Sequence, residues 1–230
     1  MRLLRPFAAI SICALAVCAL HAQPRATSIA RAGDAVVFDG RIDAASAARA
    51  IELLQDGAVT RLVITSGGGQ VDAAIDLALA VHARQLDVEV PTACLSSCAN
   101  YVLPAARRKL LGRPGAVAWH GNMAHVLYLV QTGQGTWSGP EVEDARRLAT
   151  REAALYASLG VDGFVCWFAK LPPYAVDEFY TLAPADMARF GIHDVTLRDP
   201  TAAVANPLVQ AVQVDWPALE ALRPTVRLEP

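Results

Sequence analysis

Three short runs of this chain carry residue types that can do chemistry together. They are Ser66-Gly67-Gly68-Gly69, then Cys94-Leu95-Ser96-Ser97-Cys98-Ala99, then Ala118-Trp119-His120. A serine hydroxyl is a weak nucleophile until a base takes its proton, and histidine is the side chain whose ordinary pKa suits that task near neutrality. The oxyanion that follows needs backbone N–H donors, which glycine turns and helix N-termini present. All three parts of a serine hydrolase site are therefore on offer. Each part also has a plainer reading. Ser96 and Ser97 fit a helix N-cap pair, and His120, closing an apolar stretch, fits a packed core histidine. Ser97 competes with Ser96 as nucleophile, and His125 competes with His120. His82 and His193 read as surface or packing residues.

Cys94 and Cys98 flank the serine pair. If the segment is helical, they lie one turn apart and within reach of a disulfide that would stiffen the nucleophile's turn; two small buried thiols are the other reading. No histidine sits at ligand spacing from them, so no metal is expected. The glycine run lacks both the Gly-Lys-Ser/Thr ending of a nucleotide loop and the spacing of a dinucleotide fold, so no cofactor is expected either.

The elements that must position these residues read as alternating strands and helices. Residues 35–38 form a short apolar strand, and Asp43 caps an alanine-rich helix that ends near Gly57. A strand over 61–65 leads into the glycine turn. Ala73, Ala74, Leu77, Ala78 and Val81 then repeat at helical spacing over 71–83. A third strand, 88–90, runs on into the cysteine-serine turn and a helical run over 99–103, and a fourth, 116–118, delivers His120. Residues 121–139 show no clear period. Helices follow over 141–159 and 162–169, the second stopped by Pro172-Pro173. The pattern implies βαβ units with right-handed crossovers and a mainly parallel sheet, whose strand ends would gather the marked residues on one edge.

The first residues read as a targeting signal. Arg2 and Arg5 precede an apolar stretch over 7–20, and cleavage is expected before Gln23. That stretch is shorter than the ~20 residues a membrane span needs. We therefore expect an exported, periplasmic protein with no transmembrane domain in the mature chain; a retained N-terminal anchor is the alternative. Residues 23–200 make one domain and 201–230 a C-terminal tail. The net charge of -2 and the presence of only two lysines, Lys109 and Lys170, argue against nucleic acid as a partner. Arg107-Arg108-Lys109 reads as a solvated loop end.

Taken together, these residues resemble the Clp-protease-like branch of the crotonase fold, and in particular its exported bacterial members. In the Clp peptidase subunit a strand ends in a Ser-Pro-Gly-Gly turn, a later strand enters a helix that begins with the nucleophilic serine, and the next strand carries the base histidine. Ile64-Thr65-Ser66-Gly67-Gly68-Gly69-Gln70 resembles the first element, with glycine in place of proline. Cys94-Leu95-Ser96-Ser97-Cys98-Ala99 resembles the second and Val117-Ala118-Trp119-His120 the third. The likeness runs over residues 36–194 and includes 182–192, similar to the family's closing helix and strand.

The resemblance implies a crotonase-like spiral of βαβ units with Ser96 as nucleophile and His120 as base. Gly68 or Gly69, with the N–H of Ser97, would form the oxyanion hole. It places Phe179 where the triad's aspartate belongs, so Asp177, or else Glu178, serves as the acid if the loop shifts. A serine-lysine dyad, as in signal peptide peptidase A of the same fold, would turn to Lys170. The implied activity is a peptidase-like serine hydrolase working on a peptide or acyl substrate through an acyl-enzyme. The implied assembly is a homo-oligomer, because residues 121–159 take the place of the element that mediates subunit contacts. A catalytically idle member of the fold that binds peptide or another ligand is the contrasting expectation.

Overall fold

In the computed structural model, which describes residues 26–226, apolar runs of four or five residues become strands and the alanine- and leucine-rich stretches between them become helices. The targeting signal expected over residues 1–22 lies outside the described residues. The strands are β1 (Ser28–Ala32), β2 (Ala35–Asp39), β3 (Arg61–Thr65), β4 (Asp87–Val90), β5 (Cys94–Leu95), β6 (Lys109–Leu111), β7 (Val117–Ala118), β8 (Phe179–Thr181), β9 (Val195–Leu197) and β10 (Val209–Ala211). The helices are α1 (Ala44–Leu54), α2 (Val71–Ala83), α3 (Met123–Gln131), α4 (Gly139–Leu159), α5 (Pro184–Arg189) and α6 (Trp216–Leu222).

The chain is an α/β protein with a mainly parallel central sheet of six strands, in the order β1-β2-β3-β4-β6-β9. Only β1 runs antiparallel, as the partner of β2 in a hairpin. Val36, Phe38, Leu62, Ile64, Val88 and Val90 are fully or almost fully buried, which gives these strands the apolar character of a covered parallel sheet. Asp43 caps α1 as expected, in a reciprocal box with Ser46. Helix α4 starts at a second such box, Ser138 with Glu141, and ends at Gly160 in the left-handed region. Ion pairs of Arg147 and Arg151 with Asp72 and Asp76 fasten α4 to α2.

Three expectations are corrected. The strand that delivers His120 is not part of the central sheet. It pairs in parallel with β5 as a separate two-stranded sheet, Cys94 opposite Val117 and Leu95 opposite Ala118. Its place beside β4 is taken by β6, which begins in the basic cluster read as a solvated loop. Lys109 is only 5 % exposed, its stem within the sheet and its Nζ donating to the Ala106 carbonyl at 2.7 Å, while Arg107 and Arg108 both pair with Asp87. A long aliphatic stem with a satisfied head allows a lysine to enter a strand. Residues 123–131, which lack a clear period, form helix α3, capped by Asn122 accepting from His125 N–H at 3.0 Å. The segment after Pro200, read as a C-terminal tail, adds β10 in parallel to β8 and sets Trp216 against Phe190, with Leu219 fully buried. Among the described residues, no helix is long and apolar enough to cross a membrane.

Candidate active site

The turn carrying Ser96 is suspended between two strands. Leu95 N–H donates to the Ser66 carbonyl at 2.9 Å, and Ser66 N–H to the Ala93 carbonyl at 2.7 Å, so β5 continues the end of β3. On its other side, Cys94 N–H donates to Ala116 O at 2.7 Å and Ser96 N–H to Ala118 O at 3.1 Å. The chain then reverses into a π-helical turn, Cys98–Val102. Ser96, at this reversal, has φ +55°, a left-handed conformation unusual for a residue with a side chain. Such residues gather at functional sites, where a sharp strand-to-helix turn pushes a hydroxyl out of the sheet. Cys94 and Cys98 are joined in a disulfide with Cα atoms 5.1 Å apart, and it spans the strand-to-helix junction rather than one helical turn. Both cysteines are fully buried, so the bridge closes the base of the turn.

The Ser96 hydroxyl meets His120 Nε2 at 2.7 Å. Ser97 makes no such contact: it is buried, and its hydroxyl donates to the Gly69 carbonyl at 2.8 Å. The structure therefore joins Ser96, not Ser97, to the imidazole. The outer edge of His120 is exposed, while the Phe179 ring packs on it with centroids 4.7 Å apart. Phe179 is held there because Trp119 and Tyr180 exchange two backbone hydrogen bonds, each of 2.9 Å, which sets the start of β8 beside the end of β7. Desolvation lowers the His120 pKa below its ordinary value, the Lys170 charge adds to that, and Glu178 pulls the other way.

The acid assignment is not met by the geometry. Neither Asp177 nor Glu178 hydrogen-bonds the imidazole, and both are exposed. The reason is Lys170, whose Nζ donates to the carbonyls of Val176 at 2.9 Å and Asp177 at 2.7 Å, and also to that of Glu178. Three carbonyls gathered on one ammonium fix the loop with Phe179, not a carboxylate, against His120. The same bonds occupy Lys170 itself, so it forms no dyad with Ser96.

The glycine turn lies directly beneath the serine. A Cβ on Gly68, which has φ +92°, would come within 2.8 Å of Ser96 Cβ and 2.9 Å of Ser97 N. The Gly68 amide donates to Ser66 Oγ at 3.0 Å. Among the described residues, the amides of Gly69 and Ser97 meet no protein acceptor. Of the alternatives Gly68 and Gly69, then, Gly69 is the one whose N–H is open to pair with that of Ser97.

A cavity of about 390 Å³ opens beside the serine, walled by Val71, Met123, Val126 and Leu129 with Asn100 and His125. His125 stacks on Trp167 with centroids 5.4 Å apart. Burial, reinforced by the charges of Lys170 and His120, lowers its pKa to about 4, so this second imidazole is neutral at physiological pH. Among the described residues, no cluster of three or more His, Cys, Asp or Glu side chains is placed to hold a metal.

No protein-family model matches the chain, and no curated protein matches it either. Two residues behind the site escaped sequence reasoning. Asn100, one helical turn after Ser96, donates through Nδ2 to the Gly121 carbonyl at 2.9 Å, and its Oδ1 is buried without a partner. Glu152 is 1 % exposed on α4. A sequence signal for Glu152 existed: it falls on the buried stripe Ala145, Leu148, Leu155 and Tyr156, where a charge has no place unless partnered.

Proposed function

We propose that this chain is an exported serine hydrolase, peptidase-like in its acyl chemistry, with Ser96 as nucleophile and His120 as base. The observation that carries the reading is the 2.7 Å contact between His120 Nε2 and the hydroxyl of a serine in the left-handed region. His120 Nε2 takes the Ser96 proton as Oγ attacks the substrate carbonyl. The oxyanion accepts the N–H groups of Gly69 and Ser97. Collapse breaks the bond to the leaving group, which departs with the proton from His120, and leaves an acyl-Ser96 ester. Water then attacks this ester, losing a proton to His120; the acyl–Oγ bond breaks, Ser96 Oγ takes that proton back from His120, and the acid product leaves.

With no carboxylate on the imidazole, the site works as a dyad. The charge formed on His120 is stabilised only at a distance, by Glu178, and is opposed by Lys170. We therefore assign a slow hydrolase, in which acylation is easier to observe than turnover. Export is supported by the Cys94–Cys98 disulfide, which persists in an oxidising compartment, and by the basic and apolar start of the chain. A crotonase-type spiral is supported by the small sheet that carries nucleophile and base at the end of β3. Assembly into a homo-oligomer is supported by α3, an apolar helix none of whose residues is buried.

Labelling with a serine-directed fluorophosphonate, located by mass spectrometry, tests the reading. Modification of Ser96 is expected, and its absence from folded protein at every pH would leave the second reading, a ligand-binding protein without catalysis. That reading is favoured by one observation, the Phe179 ring in the place of an acid.

A further inference from the structure

We propose that Glu152 is a positioning residue of this site, clamping together the segment that carries Ser96 and the segment that carries His120. The inference rests on the hydrolase reading of those two residues. Glu152 Oε1 accepts the Tyr101 hydroxyl at 2.7 Å and the Met123 amide at 3.3 Å, and Oε2 accepts the Ala124 amide at 3.1 Å. Tyr101 belongs to the helical run that Ser96 begins, since Asn100 N–H donates to the Ser96 carbonyl at 2.8 Å. Met123 and Ala124 open α3, just beyond His120-Gly121-Asn122. Beside the carboxylate, Asn100 bonds the Gly121 carbonyl and so joins the same two segments. Nucleophile and base are thus held from behind by a seam of two side chains, neither of which touches a reacting atom.

The chemistry of the seam requires an acceptor. One hydroxyl and two first-turn helix amides converge on a buried point, and only a carboxylate accepts from all of them without offering a donor in return. The positive end of α3 favours its charge. Burial opposes it and raises the pKa to about 7, against the hydrogen bonds of Tyr101 and of the α3 amides. Three further titratable side chains crowd the carboxylate. Tyr101 from the nucleophile's helix, Tyr156 from α4 itself and Cys166 from the turn Gly163–Cys166 are each raised well above their ordinary values by burial. Asp162 and Arg223, at a cavity of about 480 Å³ that also reaches Glu152, pair with each other at 2.5 Å. His125, next along α3, is neutral above about 4. The clamp is therefore strongest when Glu152 is ionised and loosens as pH falls through neutrality, above the range in which His120 itself protonates.

The experiment follows His120 directly, in the intact protein labelled with ¹³C,¹⁵N-histidine and assigned by loss of its signals in His120→Gln. We expect two steps in its pH titration, its own and a smaller one near pH 7 that disappears in Glu152→Gln. Fluorophosphonate labelling of that variant should slow about ten- to a hundredfold at pH 8, the scale of a small misplacement. Tyr101→Phe retains the carboxylate and removes one donor to it, so the step should move to higher pH. A folded Glu152→Gln whose His120 titration and labelling rate match the wild type overturns the proposal. If Glu152→Gln fails to fold, an unmoved step in Tyr101→Phe overturns it instead. If the wild type is never labelled yet the step near pH 7 vanishes in Glu152→Gln, the positioning role stands and the hydrolase reading falls.

Discussion

Ser96 and Ser97 are adjacent hydroxyls with different commitments, one facing an imidazole and the other bonded to a carbonyl. Ser96→Ala is accordingly expected to abolish fluorophosphonate labelling. Ser97→Ala should only weaken it, because the backbone N–H it supplies survives the substitution; equal labelling of the two variants would reverse the assignment. Asp177→Asn and Glu178→Gln each test the dyad. Loss of the acid from a true triad slows turnover by about 10⁴. Here both variants should label within about threefold of the wild type, since neither carboxylate bonds the ring. Glu178→Gln should also displace the His120 titration further downward, because it removes the one carboxylate that pulls that pKa up. The pH dependence has a definite sign. His120 must be unprotonated to act as a base, so labelling falls as pH drops through a pKa lying below the ordinary 6.5 and stays flat above it, apart from the Glu152 step. In Glu152→Gln, whose profile carries only the His120 limb, an acid limb above 6.5 would contradict the desolvated setting of this ring.

At the scale of elements, the turn around Ser96 depends on close approach and on a covalent brace. Gly68→Ala forces a side chain into a left-handed backbone and against Leu95 O, Ser96 Cβ and Ser97 N, all within 2.9 Å of the new atom. It should destabilise the fold by about 1–3 kcal/mol, read by chemical denaturation, and abolish labelling even where the protein stays folded. Replacing Cys94 and Cys98 by alanine opens a short loop, a loss of about 2 kcal/mol on chain-entropy grounds. Calorimetry should show a fall in Tm of about 4–8 °C. Much of this was legible in the sequence. Alternation and caps anticipated β2, α1, β3 and α2, though not β1, and the order of glycine turn, serine and histidine anticipated which residues meet. What escaped has physical causes. A two-residue strand such as β7 has too few residues to show which sheet it joins, and hydrogen bonds at Ala116 and Ala118 decide that. Helix α3 is only nine residues long and largely apolar, set among the glycines of 121–139, so its period is hard to see. The resemblance itself sets Phe179 in the acid's place; that the loop does not shift to bring Asp177 or Glu178 to the ring is decided by backbone contacts of Lys170 and Tyr180, which no sequence pattern encodes. Glu152 shows in the sequence only as a charge on the buried stripe of α4, and its role emerges once its three donors are in view.

Across the whole molecule, a carboxylate buried at the junction of three elements has a thermodynamic signature. The folded state holds the Glu152 proton up to about pH 7, whereas an ordinary glutamate releases it near 4.5, so its contribution to stability diminishes as pH rises between those values. The shift corresponds to on the order of 3 kcal/mol. His120 and His125, whose pKa values are lowered, act in the opposite sense below 6.5, destabilising the fold as pH falls. The Glu152 contribution is therefore read as a difference: denaturation of the wild type and Glu152→Gln from pH 5 to 8 should give a gap that changes with pH, and a constant gap would exclude it. Light scattering at micromolar concentration tests assembly. A particle of several chains is expected, reduced to a monomer by charged substitutions at Leu127 and Val130 of α3; a wild-type monomer would leave that helix with another role. One feature of the fold bears on how such a protein can change over time. Cys94 and Ser96 bond Ala116 and Ala118, so the spacing of Ser96 and His120 is ruled off along a backbone ladder rather than set by neighbouring side chains. Amino-acid replacements around the cleft can accumulate while that spacing persists. A single inserted or deleted residue in 92–95 or 114–117 slips the ladder, turns alternate side chains to the other face, and parts Ser96 from His120 in one step, so lineages of this chain should vary in side chains there and hold their length.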